Sequence, residues 1–224
     1  VHRVHENQLA LFGRAGFVDL LVSASRDASL EVKVQALGVL ANLLDAAENR
    51  DAALKNGRLF NAVLNAAENG ETDEIKRRAW LSLAQLATGA RVELVQRLDE
   101  VKWVELAVRA TGTGETVAIK ELGARTLSVL TSSMDHDAVP TLVLNQPGLL
   151  PVLVLVGGLA PSSNDLKWWV FRTLAELARS REGAVRVFGA AGLPAMLLRA
   201  VQRDGPESSI GAAWRYELTG EPRY

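Results

Sequence analysis

The sequence contains no cysteine and only three histidines among its 224 residues. The missing cysteines exclude disulfide bonds, thiolate catalysis and metal sites built on cysteine. Acidic residues (26) and basic residues (25) nearly balance, so the net charge of −1 provides no overall field that would attract nucleic acid or an anionic membrane. Any electrostatic recognition must therefore come from local groups of charge.

Long hydrophobic runs are also missing. The longest apolar run, residues 149–160, contains Pro151 and is shorter than the roughly 20 residues that a helix needs to cross a bilayer. We therefore expect a buried helix here and no membrane insertion. No Asn-x-Ser/Thr sequon occurs, which favours an intracellular location.

The sequence gives little support for catalysis. His2, His5 and Glu6 have a spacing that one helix face could use to hold a metal, but they stand at the start of the chain, where helices fray. His136 lies between two aspartates in a predicted first helical turn, where acidic residues are favoured by the helix dipole. The Gly-x-Gly of residues 112–114 has neither a preceding strand nor a following Gly-Lys-Ser/Thr. We therefore predict no enzyme, no metal site and no cofactor.

What the chain does contain is a repeated segment of 14 residues. Its copies are EVKVQALGVLANLL from Glu31, EIKRRAWLSLAQLA from Glu74, AIKELGARTLSVLT from Ala118 and DLKWWVFRTLAELA from Asp165, with a weaker SSIGAAWRYEL from Ser208. The lysine at the third position aligns the first four copies at spacings of 43, 44 and 47 residues. Apolar residues recur every three to five positions, which predicts a long amphipathic helix.

The predicted core of this helix lies at its second, seventh, tenth and thirteenth positions. These are Val32, Leu37, Leu40 and Leu43 in the first copy, Ile75, Trp80, Leu83 and Leu86 in the second, Ile119, Ala124, Leu127 and Leu130 in the third, and Leu166, Phe171, Leu174 and Leu177 in the fourth. The sixth position is small, with Ala36, Ala79 and Gly123, which permits close approach of a second helix.

Each copy follows a second apolar segment and a shorter helical stretch. The apolar segments usually open with glycine, at Gly16, Gly57, Gly148 and Gly192. Polar turns supply N-caps for the long helices at Ser29, Thr72, Thr116, Ser163 and Asn164. We predict one domain over residues 1–224 with five repeats, roughly 1–48, 49–89, 90–134, 135–181 and 182–224, the last degenerate and cap-like.

This unit of a short, a middle and a long helix resembles the armadillo repeat, above all in residues 15–44 and 190–201. The resemblance implies an all-α fold, a right-handed superhelix of the armadillo or HEAT type in which the long third helices line a groove. It also implies a non-enzymatic scaffold or adaptor, or a subunit of a larger assembly, that binds a protein segment there.

Armadillo proteins that clamp basic peptides carry a Trp at the eighth position of the third helix and an Asn at the twelfth. Here the eighth position holds Gly38, Leu81, Arg125 and Arg172, and the twelfth holds Asn42, Gln85, Val129 and Glu176. Only Asn42 matches, so the specificity of the nuclear import receptors is not expected.

Arginine and tryptophan side chains stand in place of those Trp and Asn residues. Arg125 and Arg172 share a position in successive repeats, Arg78 lies about one turn earlier, and Trp168 and Trp169 stand where the core pattern does not require two aromatics. Guanidinium groups bind carboxylates bidentately, and an exposed Trp anchors partners. We predict a groove that accepts an extended or helical segment of another protein with acidic and apolar groups. Its residues are Arg78, Arg125, Trp168, Trp169 and Arg172, together with Asn42, Gln85 and Glu176 at the twelfth position of the long helices.

Other interpretations stay open at this point. The arginines could instead pair with acidic residues of neighbouring repeats, and either Trp could fill the core or a seam between repeats. A helical repeat that binds nucleic acid needs a basic stripe, which a pI near 6.4 does not favour. A regulatory domain that senses a small ligand between repeats is the third alternative.

Overall fold

The computed structural model describes residues 2–89, 102–112, 115–132, 138–159 and 163–204, and within these ranges all regular structure is α-helical. The helices are α1 (His2–Phe12), α2 (Phe17–Ala24), α3 (Leu30–Leu43), α4 (Ala47–Lys55), α5 (Gly57–Asn69), α6 (Asp73–Leu86), α7 (Trp103–Gly112), α8 (Val117–Ser132), α9 (Ala138–Leu144), α10 (Leu149–Gly158), α11 (Asn164–Leu177), α12 (Arg181–Phe188) and α13 (Leu193–Asp204). The predicted all-α class is confirmed.

The helices follow the predicted order of short, middle and long. Helices α1–α3, α4–α6 and α9–α11 each form a complete set, α7 and α8 are the middle and long helices of the third repeat, and α12 and α13 are the first two of the fifth. The short helix predicted at residues 92–98 and the weak copy that starts at Ser208 lie outside the described residues.

Contacts divide the chain into two compact units, Val1–Trp103 and Val104–Tyr224, which we call unit 1 and unit 2. In unit 1, α6 packs against α3 and α5. In unit 2, α11 packs against α8 and α10. The long helices of successive repeats thus form the core of each unit, while the single domain and the repeat boundaries stay predictions.

The predicted core positions are buried in all four long helices except for Val32, which is 40% exposed in the first turn of α3, so the prediction for that residue is wrong. The tenth position shows this best, since Leu40, Leu83, Leu127 and Leu174 are each at most 2% exposed. Burying one such side chain contributes roughly 1.5–3 kcal/mol. The sequence pattern therefore identified the residues that hold the long helices in the fold.

The small residue at the sixth position does allow close helix packing. A Cβ atom added to Gly123 of α8 would lie 3.0 Å from the Thr111 hydroxyl and 3.1 Å from the Ala107 carbonyl oxygen, both on α7. Because a larger side chain would push the two helices apart, glycine fixes their separation.

Three middle helices begin after the same glycine turn. Gly16, Gly148 and Gly192 have φ angles of 75°, 79° and 85° and directly precede α2, α10 and α13. Side chains disfavour this left-handed conformation, which explains the glycines. Gly57 differs, because it is the first residue of α5 and Asn56 caps that helix instead.

Side-chain caps begin the long helices as predicted at three sites. The hydroxyls of Ser29, Thr72 and Ser163 each accept a hydrogen bond from the backbone N–H three residues later, and Thr116 directly precedes α8. The prediction of Asn164 as a cap is wrong, since Ser163 already occupies that role and Asn164 is the first residue of α11.

Helix α10 is buried on one face only, which corrects the expectation of a buried helix. Leu149, Leu153 and Val156 are buried, whereas Pro151 is exposed and Leu155 is 56% exposed. A middle helix packs against its repeat on one side, so its other side meets solvent even though it carries no charged residue.

None of the described helices is by itself long and apolar enough to cross a bilayer. Among the described residues, one pair of consecutive helices, Arg181–Phe188 and Leu193–Ala200, has the required length and apolar composition when taken together, but the pair is bent by 83°.

Candidate partner-binding site

Two arginines and two tryptophans form one cluster in unit 2. The Cζ atom of Arg125 lies 5.7 Å from the ring centroid of Trp169, and that of Arg172 lies 5.1 Å from the ring centroid of Trp168. The two indole rings meet edge to face, with centroids 4.3 Å apart and planes at 83°. We call these four residues the Arg–Trp cluster. Each guanidinium is thus held by a cation–π contact.

The helix positions explain how the cluster forms. Trp168 and Arg172 are four residues apart on α11 and therefore share one face of that helix. Arg125 reaches Trp169 from α8, the long helix of the preceding repeat, which packs closely against α11. Both tryptophans are half-buried and Arg172 is exposed. The cluster is therefore accessible at the surface of unit 2.

The cations of the cluster have no internal counter-ion within the part of the chain that the structure describes. The acidic residues on the same helices are engaged elsewhere. Glu121 accepts a hydrogen bond from the hydroxyl of Ser163, and Glu176 accepts one from Arg179 at 3.1 Å. The Nε atom of Arg125 is buried and has no acceptor among the described residues. Aromatic rings, and not carboxylates, support both positive charges.

Glu176, at the twelfth position of the fourth repeated segment, was predicted to line the binding groove. Its side chain is buried and bonded to Arg179, which is not part of the cluster. It lines a cavity of about 30 Å³, which has room for about one or two waters. The other lining residues are Pro140, Thr141, Leu144, Leu177, Ser180 and Glu182.

In unit 1 the predicted site residue Arg78 is paired. Its Nε donates a hydrogen bond of 2.7 Å to Glu74, which also accepts two hydrogen bonds of 2.7 Å from Arg77. These two guanidinium groups, Arg77 first, lower the pKa of Glu74 to about 2. Arg78 also lies over Gly38, where an added Cβ atom would be 3.3 Å from its Nη1 atom. Arg78 is therefore paired with a carboxylate of its own helix, which it shares with Arg77.

The two remaining predicted residues of unit 1 have different surroundings. The side-chain amide of Gln85 donates a 2.7 Å hydrogen bond to Asp45, which ties α6 to the end of α3. Asn42 is exposed, and its backbone carbonyl accepts a 2.7 Å hydrogen bond from Gln8. A partner-binding role for each of these residues stays a prediction.

Sequence reasoning left the repeated lysine unexplained. Lys33, its first example, is mostly buried and lies 2.5 Å from a carboxylate oxygen of Glu71, in the turn before the next long helix. This contact lowers the pKa of Glu71. Ser163 and Glu121 form a similar link between the turn before α11 and helix α8. Lys33 therefore joins successive repeats.

The described side chains include no group of three acidic or histidine residues that could hold a metal ion. The Nε2 atom of His5 lies 3.7 Å from a carboxylate oxygen of Glu48. Gly112 is the last residue of α7. His136 and Gly114 lie outside the described residues.

Several known structures with a similar arrangement of helices are designed proteins. A designed armadillo repeat protein in complex with the peptide (KR)4 matches with a TM-score of 0.81 and 20% identity, over 96% of this chain and 85% of that one. The fold is that of armadillo-repeat proteins. A second designed armadillo repeat protein gives a TM-score of 0.79 at 19% identity, with the same coverage of 96% and 85%. A computationally designed armadillo repeat protein for modular peptide recognition gives 0.76 at 18% identity, over 98% and 92% of the two chains.

No family model matches the sequence, and a search of curated proteins also found no match. In armadillo terms, α3, α6, α8 and α11 are third helices. The Arg–Trp cluster thus lies on the third helices of two successive armadillo repeats.

Proposed function

We propose that this armadillo chain is a non-enzymatic scaffold or adaptor that binds a segment of another protein at the Arg–Trp cluster. The observation that supports this most strongly is the pair of guanidinium groups that no described carboxylate neutralises. Half-buried aromatic rings beside charged groups are typical of residues that dominate binding energy in protein interfaces.

The partner segment is extended or helical and carries acidic and apolar groups. Two positive charges at one surface favour acidic side chains. A structurally similar designed protein is in complex with the basic peptide (KR)4, whereas the cluster charge would repel such a peptide here. We further propose that the chain works inside the cell as a subunit of a larger assembly.

Two other functions find less support. Nucleic-acid binding would use the tryptophans to stack bases, yet each indole already has a guanidinium over its ring and meets the other indole. A sensor of metabolites needs a cavity of hundreds of Å³, and the cavity beside Glu176 is about 30 Å³.

The experiment is selection of peptides from a random phage-displayed library against the intact chain. Selected peptides are then measured by biolayer interferometry on the parent chain and on the double variant Arg125→Glu/Arg172→Glu. We expect at least a roughly tenfold loss of affinity, because a favourable charge contact becomes a repulsive one.

The matched control reverses two exposed arginines elsewhere in unit 2, Arg181→Glu/Arg199→Glu. This control should bind the selected peptides as the parent chain does, and far-UV circular dichroism checks that both variants fold. The proposal is wrong if selection yields no binder, or if the binders respond equally to the two double variants.

A further inference from the structure

We propose that Trp168 and Trp169 are positioning residues. They hold the guanidinium groups of Arg125 and Arg172 so that each guanidinium, called a fork below, can bind one carboxylate of the partner through two hydrogen bonds. The inference rests on the proposed function, since it assumes that the cluster binds a partner segment. It differs in the role of the tryptophans, which serve the arginines and are not themselves apolar anchors.

The first argument is the occupancy of the indole rings. One guanidinium lies over each ring, and the two indoles also contact each other edge to face. A partner's apolar side chain could stack on the same ring surface only by displacing a guanidinium. The rings are therefore already used inside the protein, and the groups they present outward are the cations.

The second argument is the state of Arg125. Its Nε atom is buried and lacks an acceptor among the described residues. A carboxylate can bind an arginine at the Nε edge or at the terminal pair of nitrogens. Because the Nε edge is closed, an incoming carboxylate reaches Arg125 only at the terminal pair. The surroundings of Arg125, which include the ring of Trp169, therefore fix which edge of the guanidinium a ligand meets.

The third argument is charge. The acidic groups nearest in sequence on α8 and α11 are bonded to other residues, Glu121 to Ser163 and Glu176 to Arg179. Asp165 is exposed, and no contact joins it to the described cluster side chains. Two fixed cations without an internal counter-ion are complementary to two carboxylates on one segment.

The partner class that follows is an acidic peptide segment with one carboxylate for each fork. Arg125 and Arg172 occupy the same position in consecutive third helices, so the two forks are offered side by side. Lysine cannot replace them, because an ammonium group neither stacks as a plane on indole nor binds a carboxylate through two parallel hydrogen bonds.

The probes are fluorescein-labelled octapeptides, (DE)4, (KR)4 and neutral (SG)4, and the readout is fluorescence polarisation at low and high salt. The test variants are Arg125→Lys/Arg172→Lys, which keeps both charges, and Trp168→Leu/Trp169→Leu, which keeps apolar side chains. The matched control is Arg181→Lys/Arg199→Lys.

We expect the parent chain and the control to bind (DE)4 in preference to (SG)4 and (KR)4. The lysine variant should weaken (DE)4 binding about tenfold although its net charge is unchanged. The leucine variant should weaken it by a similar factor. In ¹⁵N–¹H spectra, the leucine variant should also move the Nε–H signal of Arg125 towards the position of exposed arginines, which a lost apolar anchor alone would not do.

The inference is overturned if (DE)4 binds no better than (SG)4, if the lysine variant keeps full affinity, or if the leucine variant keeps full affinity for (DE)4. Should the leucine variant fail to fold, the lysine variant still decides, because it alters little packing. If library-selected peptides need the cluster while (DE)4 does not bind, the carboxylate forks are wrong and the proposed function stands. If no peptide of either kind needs the cluster, both proposals are wrong.

Discussion

The arginines of the two units have the same local sequence setting but different partners. In unit 1, Arg78 follows Glu74 by four residues and binds it at 2.7 Å. In unit 2, Arg125 also follows a glutamate, Glu121, by four residues, yet it lies against Trp169 instead. In the same unit, Ser163, in the turn before the next long helix, donates a hydrogen bond to Glu121.

This comparison shows that an i,i+4 pair of opposite charges does not by itself decide whether an arginine is neutralised. Such a pair on a helix surface contributes only about 0.2–0.5 kcal/mol. A hydrogen bond from the next repeat together with a cation–π contact is enough to outweigh it. In this way two guanidinium groups without a described counter-ion lie in one cluster in unit 2, whereas Arg78 is bonded to Glu74.

The largest expected effect comes from removing one core leucine in each unit. Leu127→Ala in α8 and Leu83→Ala in α6 change fully buried residues at the same helix position, so each should lower the free energy of unfolding by about 2–5 kcal/mol. Urea denaturation followed by far-UV circular dichroism measures this loss.

Trp80 and Trp103 of unit 1 also contribute to the near-UV signal, so the signal of the edge-to-face pair is the part that is lost in Trp168→Leu/Trp169→Leu, and this part should report unit 2. It should therefore disappear at a lower urea concentration in Leu127→Ala than in Leu83→Ala. Equal shifts of that signal in the two variants would break the comparison, because the cluster would then depend on the packing of both units to the same degree.

The next effect tests the hydrogen bond that diverts Glu121. Ser163→Ala and Ser29→Ala each remove the N-cap of a long helix, and each should cost about 1 kcal/mol of stability. Only Ser163→Ala also releases Glu121, which can then pair with Arg125. We expect this variant alone to weaken the binding of the (DE)4 peptide, by a few-fold. If both serine variants bind the peptide equally well, the competition between Ser163 and Arg125 for Glu121 does not shape the site.

The smallest effect concerns the ion pairs of unit 1. The pKa of Glu74, about 2, is below its usual 4.5 because of Arg77 and Arg78, so the ionised carboxylate stabilises the fold above about pH 4.5. That contribution is lost as the pH falls from about 4.5 towards 2. Since more than a third of each side chain of the Glu74–Arg77 pair is exposed to solvent, the amount stays below about 1 kcal/mol.

Glu74→Gln should therefore lower stability at pH 7 and reduce its decline between pH 4.5 and 2. Thermal unfolding at a series of pH values measures both. As a control, Asp19→Asn removes a mostly exposed ion pair with Arg58 and should lower stability at pH 7 less than Glu74→Gln does. An unchanged profile in Glu74→Gln would contradict the pairing of Glu74 with Arg77 and Arg78.

Much of the fold was predictable because it depends on local periodicity. The four long helices begin one residue before the predicted segments, at Leu30, Asp73, Val117 and Asn164. Three of the four predicted glycine openings are turns with positive φ. The misassigned cap at Asn164 is an error of one residue, which arises because serine and asparagine are both good caps and stand side by side.

The candidate site was predictable only in part. The sequence identified Arg125, Trp168, Trp169 and Arg172 as residues that the core pattern does not require. It also assigned Arg78 and Glu176 to the same groove. The i,i+4 spacing to Glu74 was a usable signal for pairing of Arg78. No comparable signal in the sequence links Lys33 to Glu71, because these residues are brought together by the stacking of repeats.

The sequence by itself determined the repeat, the helix order and the core, because these follow from spacings of three to five residues within one helix. Only the tertiary structure decided which charges are neutralised, because hydrogen bonds and cation–π contacts depend on side chains from helices about 40 residues apart. The same spacing of glutamate and arginine gives an ion pair between Glu74 and Arg78 but none between Glu121 and Arg125. That choice depends on Ser163 and Trp169, two residues that the next repeat supplies.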